Sequence, residues 1–168
     1  MKKIPIKEAI SFYKPNISVF VISVDENDKP NGMITNFNMK ASLDPPRFAV
    51  GLSKRSYTQE LIHKSQEFVI AVANKEMEED LLFFGTNHGD KVDKFSVTNI
   101  LTQKATEVRT PLLSGATINF ECKVIQTIDA GDHYIFLGEV LAAHLDSTKK
   151  VLINLKGNKE QTWIFKEF

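Results

Sequence analysis

Three short stretches of this 168-residue chain carry side chains of the kinds that bind or transform small molecules. The first is residues 31–50, NGMITNFNMKASLDPPRFAV, where Thr35, Asn36, Asn38 and Ser42 place amides and hydroxyls just ahead of Asp44, Pro45 and Pro46. Proline has no N–H and holds φ near −65°, and it pushes the residue before it toward extended geometry. The spacing therefore predicts that this segment stays out of a strand ladder, leaving backbone N–H and C=O groups just upstream without strand partners. Such groups cost about 1–3 kcal/mol each when buried and unpaired, so they call for water or a ligand. A flat heteroaromatic ring with polar edges would satisfy them. A solvated loop whose prolines end an edge strand accounts for the same residues equally well.

The second stretch is KRSYTQELI, residues 54–62. Ser56 and Gln59 have the spacing of a capping box, in which the hydroxyl caps the first turn of a helix. The same residues suit a phosphate, because free N–H groups, the positive end of a helix, two hydroxyls and the Arg55 guanidinium converge there. The two readings are compatible. The third stretch is DAGDH, which ends on His133 beside a turn. A lone histidine there is more often a surface residue than a catalyst.

Other chemistries lose their support. The chain holds no His-Glu-x-x-His, no Gly-x-Ser-x-Gly and no phosphate-binding Gly-x-x-x-x-Gly-Lys-Ser/Thr. Its four histidines (His63, His88, His133, His144) are scattered without metal-ligand spacing, and no metal site is expected. Cys122 is the only cysteine, so no internal disulfide and no thiolate cluster can form. Lys plus Arg and Asp plus Glu balance at 21 each, so no global field steers the molecule toward nucleic acid or acidic lipid. Met1-Lys2-Lys3-Ile4-Pro5, with Lys7, Glu8 and Lys14 after it, breaks any apolar leader, and no window approaches the roughly 18 apolar residues of a membrane span. A cytoplasmic location without membrane or nucleic-acid partners is the expectation.

The elements that must position these residues read mostly as strands. Residues 17–25, ISVFVISVD, are apolar almost throughout, as in a strand buried on both faces. ENDKPNG then supplies turn residues, so the next apolar stretch is expected to return beside the first as a hairpin. Residues 47–52 and 67–73 give a third and a fourth strand. Residues 58–65 and 76–85 read as short helices; Met77, Leu81 and Phe84 share one face of the second, and Gly85 stands where a C-terminal cap belongs. From 116 to 128 the pattern alternates, with Ala116, Ile118, Phe120, Cys122 and Val124 on one face and Thr117, Asn119, Glu121 and Lys123 on the other. HYIFLGEVLAAHL follows the DAGD turn as its partner, and residues 151–155 and 162–165 add short final strands. Apolar residues on both faces of YIFLGEVLAA suit either a subunit interface or a covering helix. The whole is expected to be one mainly β domain with short helices, an antiparallel closed or half-closed barrel.

Taken in order, NGM, SLDPP, KRSYT, EFVIAV, LLSGATINFECKV and GDHYIFLGEV resemble the flavin reductase-like family of FMN-binding split barrels, the flavoredoxin-like proteins, from about residue 17 to about residue 140. The resemblance implies a single domain over residues 1–168, a six-stranded antiparallel split barrel of the FMN-binding type, paired as a homodimer. It implies an NAD(P)H-dependent flavin reductase that binds FMN, or in some members FAD, and takes NADH or NADPH as electron donor, often for a partner monooxygenase or another redox protein. An FMN-holding electron-transfer flavoprotein is the alternative within the family. A non-redox binding module for a phosphorylated aromatic ligand is the alternative outside it. Carried onto this chain, Thr35, Asn36, Phe37, Asn38, Met39, Lys40, Ala41 and Ser42 would line the isoalloxazine. Lys54, Arg55, Ser56, Tyr57 and Thr58 would hold the phosphate, and His133 would stand near the flavin face where nicotinamide docks. Where relatives tend to have small residues this chain has Ile34, Phe37 and Lys40. That departure suggests Phe37 turned into the core, Asn36 and Asn38 making the polar contacts, and Lys40 favouring an anionic reduced ring.

Overall fold

The computed structural model describes residues 3–11, 13, 16–156 and 164–168. In chain order the elements are α1 (Ile6–Ser11), β1 (Asn16–Ile17), β2 (Val19–Val24), β3 (Pro30–Thr35), β4 (Asn38–Leu43), β5 (Pro46–Ser53), α2 (Tyr57–Ser65) and β6 (Glu67–Val72). A 3-10 turn (Lys75–Met77) leads into α3 (Glu78–Thr86) and α4 (Lys94–Thr98). β7 (Thr102–Gln103), β8 (Leu112–Leu113), β9 (Ile118–Asp129), β10 (His133–Leu145), β11 (Leu152–Lys156) and β12 (Ile164–Glu167) complete the chain. Of the expected last strand, residues 162 and 163 lie outside the described residues. Among the described residues no helix is long and apolar enough to cross a membrane.

The protein is mainly β, with short helices around one large antiparallel sheet in the order β3-β2-β6-β9-β10-β5-β4. β2 is buried at every position. Its odd and even residues enter different cores. Val19 and Val21 join Val50, Leu52, Phe68, Ile70 and Phe136 on one side; Phe20 and Ile22 join Leu81, Phe84, Leu112 and Leu113 on the other. That is why the sequence there shows no alternation. The hairpin expected after it forms, with Val19–Val24 against Pro30–Thr35; Asp25 Oδ1 accepts from the N–H groups of Asn27 and Lys29 to shape the turn.

The sheet has seven strands where the resemblance implies six, and the seventh corrects a second expectation. β4, directly ahead of the prolines, pairs with β5 from Asn38 opposite Val50 to Leu43 opposite Pro46, with an irregularity between Lys40 and Ser42. A proline removes only its own N–H. The residues upstream keep their donors and pair with β5 on one side, so the prolines shape the turn between β4 and β5 and do not keep the segment out of the ladder. The other long edge of β4 has no strand partner among the described residues.

β3 and β5 approach each other at one point, where Thr35 Oγ1 donates to the Gly51 carbonyl at 2.8 Å and the Gly51 N–H donates to the Phe37 carbonyl at 2.6 Å. These bonds draw the two arms of the sheet together into the split barrel.

Gly85 is not a C-cap. It lies inside α3, and a Cβ there would stand 2.6 Å from Ile34 Cδ1, so glycine is what lets the helix lie against β3. Met77, Leu81 and Phe84 are buried as their spacing predicts. The polar half of the 116–128 alternation is not a solvent face: Asn119 and Glu121 are buried and bind the returning segment of residues 105–113. Asn119 donates to and accepts from the backbone of Leu113. Glu121 accepts from the N–H groups of Thr106, Glu107 and Val108.

Candidate functional site

Two cavities flank the end of β5. Successive side chains of a strand alternate faces, so Ala49, Gly51 and Ser53 share the face opposite the core residues Val50 and Leu52. Ala49 and Gly51 line one cavity, of about 520 Å³. Ser53 lines the other, of about 310 Å³. Two residues along a strand span about 6.6 Å, so Gly51 and Ser53 stand about that far apart on β5.

Asn36, Phe37, Asn38, Met39 and His133 line the larger cavity. Phe37 does not turn into the core. It is 59% exposed and packs on the His133 ring at 5.1 Å between centroids, because its N–H bonds to Thr35 Oγ1 and its carbonyl to Gly51, which fixes the backbone with the side chain outward. His133 opens β10 opposite Ser53, and its Nδ1 lies 2.7 Å from Asp132 Oδ1, which anchors one edge of the imidazole. Asn36 Oδ1 accepts from Ser18 Oγ, and the residue lines the cavity. Asn38 Nδ2 is already used on the carbonyls of Ile17 and Thr35. Thr35 lies buried beneath, tied to Gly51. Lys40, Ala41 and Ser42 continue along β4, and none of them lines the cavity.

Arg55, Ser56, Tyr57 and Thr58 line the smaller cavity, at the entry of α2. The capping box does not form. Ser56 occupies the N-cap with extended backbone, but its hydroxyl donates back to the Ser53 carbonyl at 2.8 Å, and Gln59 donates to the Lys54 carbonyl. The first turn of α2 thus keeps its N–H groups free of a side-chain cap, with the positive end of the helix dipole toward the cavity. Thr58 Oγ1 accepts from Asn31 Nδ2, leaving its own proton to donate. Arg55 is exposed and forms no ion pair among the described residues, though its charge, after the His133 hydrogen bond, helps hold the Asp132 carboxyl below its ordinary range. Lys54 is elsewhere: its ammonium pairs with Asp129 at 2.7 Å and lies over the Tyr134 ring.

The rest of that cavity comes from residues that no local pattern singles out. Thr86, the last residue of α3, and Asn87, His88 and Gly89 after it line the cavity opposite Arg55, and Lys94 joins them from the start of α4. Lys94 is 3% exposed, and its ammonium donates to the carbonyls of Gly32 at 2.9 Å and Phe84 at 2.7 Å. Burial lowers its pKa to about 8, partly offset by the charge of Asp90.

The arrangement offers an apolar, half-open slot floored by Phe37 and His133 beside a compact cluster of cations, hydroxyls and helix N–H groups. From about residue 16 to 162 the sequence matches the flavin reductase like domain. A high molecular weight rubredoxin of Moorella thermoacetica is 35% identical over 127 residues, covering 74% of this chain and 54% of that protein. An FMN reductase (NADH) of Agrobacterium fabrum is 31% identical over 129 residues, covering 76% of this chain and 70% of that one. Among solved structures, flavoredoxin of Methanosarcina acetivorans superposes with a TM-score of 0.84 at 23% identity, over 98% of this chain and 91% of that chain. The chain belongs to the flavin reductase like family.

Proposed function

We propose that the protein is a flavin-binding oxidoreductase that uses NADH or NADPH to reduce FMN, with FAD as the other flavin its site could take. The observation that carries this is the opening of the Phe37–His133 slot and the Arg55–Ser56–Thr58 cluster on one face of β5, two residues apart, at Gly51 and Ser53. A ribityl chain spans that step, with the isoalloxazine at one end and the phosphate at the other. The residues present fit such a molecule: one site offers apolar and aromatic surface with the Asn36 amide at its rim, and the other offers donors to an anion and no carboxylate among its lining residues.

In this reading Arg55 supplies a charge-assisted bond to the phosphate, Thr58 donates its hydroxyl proton, and the N–H groups of α2 complete the cradle. Phe37 shields one edge of the ring from water. His133, held by Asp132 at Nδ1, directs its other nitrogen into the slot, where it can orient a nicotinamide or supply a proton. Bound flavin would supply the electron-transfer chemistry itself. The protein's task is position and electrostatics, in keeping with the sequence's lack of a hydrolytic or phosphoryl-transfer motif.

A second copy of the chain is proposed to cover the slot. Phe37, Met39 and Leu43 stand exposed at 59%, 62% and 84% on or beside the open edge strand β4, and exposed edges of this kind invite pairing. The physiological acceptor is proposed to be a flavin-dependent monooxygenase or a redox protein in the cytoplasm. The rubredoxin relative favours the second reading, a carrier that keeps its FMN. Steady-state oxidation of NADH or NADPH with added FMN should exceed a flavin-only blank, and FMN should exchange rapidly on gel filtration. Turnover no faster than the blank would overturn the reductase, and near-stoichiometric FMN retained through the column would identify the carrier.

A further inference from the structure

A lysine is rarely buried without an acid beside it, because removing an ammonium from water is costly unless another charge compensates. Lys94 is buried, yet no carboxylate among the described residues lies within ion-pairing distance of it. Its aliphatic stem and ammonium lie near Phe84, and two backbone carbonyls take two of its three protons. That leaves one donor position, and Lys94 lines both the cavity that Arg55, Ser56 and Thr58 share and a neighbouring one bordered by Asp25, Asp90 and Asp93.

We propose that Lys94 is the buried counter-charge for the ligand's phosphate and makes the site selective for phosphorylated over unphosphorylated flavin. This rests on the phosphate reading of the Arg55 cavity and adds to it. Arg55 meets the anion from the solvent side as a planar fork; Lys94 meets it from inside as a point charge whose two carbonyl bonds hold it in place. An ammonium in that position has a driving force that Arg55 lacks, since the incoming anion compensates a charge already desolvated.

Proton linkage gives the proposal its signature. In the free protein burial lowers the Lys94 pKa to about 8. A phosphate beside it stabilises the charged form, so above pH 8 binding must first recover the proton. Affinity for FMN should be flat below that pH and fall by about tenfold per unit above it, until the pKa of the complex is reached. The groups facing Lys94 from its neighbours are Arg55 and Tyr57 at the start of α2, His88, Asp90, Lys91 and Asp93 in the segment before it, and Lys29 and Asp25 from the β2–β3 hairpin. Lys29 and Asp93 already pair with each other. β3 and the last turn of α3 contribute carbonyls and no titrating side chain.

The test is a flavin-fluorescence titration of the whole protein with FMN and with riboflavin in parallel, between pH 7 and 9.5. In the wild type the ratio of FMN to riboflavin affinity should fall above pH 8. In Lys94→Met the ratio should already be about ten- to a hundredfold lower at pH 7 and show no further fall. An unchanged ratio at pH 7 in Lys94→Met, or a wild-type ratio that does not change with pH, would overturn the proposal; the second measurement stands even if the variant does not fold. Arg55→Ala separates the two levels. If it lowers the ratio while Lys94→Met does not, the phosphate site survives and Lys94 is only a structural cap for two carbonyls. If neither lowers it, the phosphate site itself is wrong.

Discussion

Replacing Glu121 with leucine is expected to destabilise the protein by about 3–5 kcal/mol, and a chemical-denaturation midpoint at pH 7 would show it. The Glu121 carboxylate is fully buried. It accepts from the backbone N–H groups of Thr106, Glu107 and Val108, from the Thr106 hydroxyl and, at 2.7 Å, faces His144 Nε2. A leucine fills the volume and leaves those donors buried without an acceptor. The anchored segment carries Ala105, Leu112 and Leu113 into the core that also packs Phe84, so its release loosens α3 behind the Arg55 cavity. A loss below 1 kcal/mol would contradict this role.

The same residue sets an acid limit. Burial alone raises the Glu121 pKa, but the N–H donors of Thr106 and Glu107, then His144 and the Thr106 hydroxyl, outweigh it and hold the pKa down to about 2, against an ordinary 4.5. A carboxyl whose pKa is depressed on folding contributes stability that is fully present above its unfolded value and is lost as the pH falls toward its folded value. The stability gap between wild type and Glu121→Gln should therefore hold above pH 4.5 and shrink progressively between 4.5 and 2.

Arg55→Ala is expected to weaken FMN by about 1.5–3 kcal/mol, the worth of one charge-assisted bond, and to leave riboflavin within about threefold of its wild-type affinity. The substitution should not disturb the fold, because the Arg55 side chain is exposed and makes no ion pair among the described residues. Isothermal titration of both ligands checks this. Equal loss for the two would place the guanidinium against the ring or the ribityl chain and not against the phosphate.

Some of this was legible in the sequence and some was not, for identifiable reasons. The unbroken apolar run of β2 signalled burial on both faces, and the Met77–Leu81–Phe84 spacing marked the buried face of α3, because side-chain period translates directly into which residues meet the core. The two prolines misled: they mark a turn, and a turn is as compatible with a paired strand before it as with an open wall. Asn119 and Glu121 alternate as solvent-facing residues would, and alternation cannot distinguish water from a backbone segment as the hydrogen-bonding partner. Lys54 and Arg55 are adjacent in sequence but point apart, since the turn after β5 hands Lys54 to Asp129 across the hairpin. Lys94 and residues 86–89 had no local signal at all. Only the packing of α3 and α4 on β3 brings them to Arg55 from about thirty to forty residues away in the chain.

The central claim is that one flavin mononucleotide joins the Phe37–His133 slot to the Arg55–Ser56–Thr58 cluster across the end of β5. A crystal structure of the protein soaked with FMN tests it most directly. The isoalloxazine is expected against Phe37 and His133, and the phosphate within hydrogen-bonding distance of the Arg55 guanidinium and the first N–H groups of α2. Flavin density seated elsewhere, or a phosphate lodged beside Arg55 with its ring turned away from β5, would contradict it.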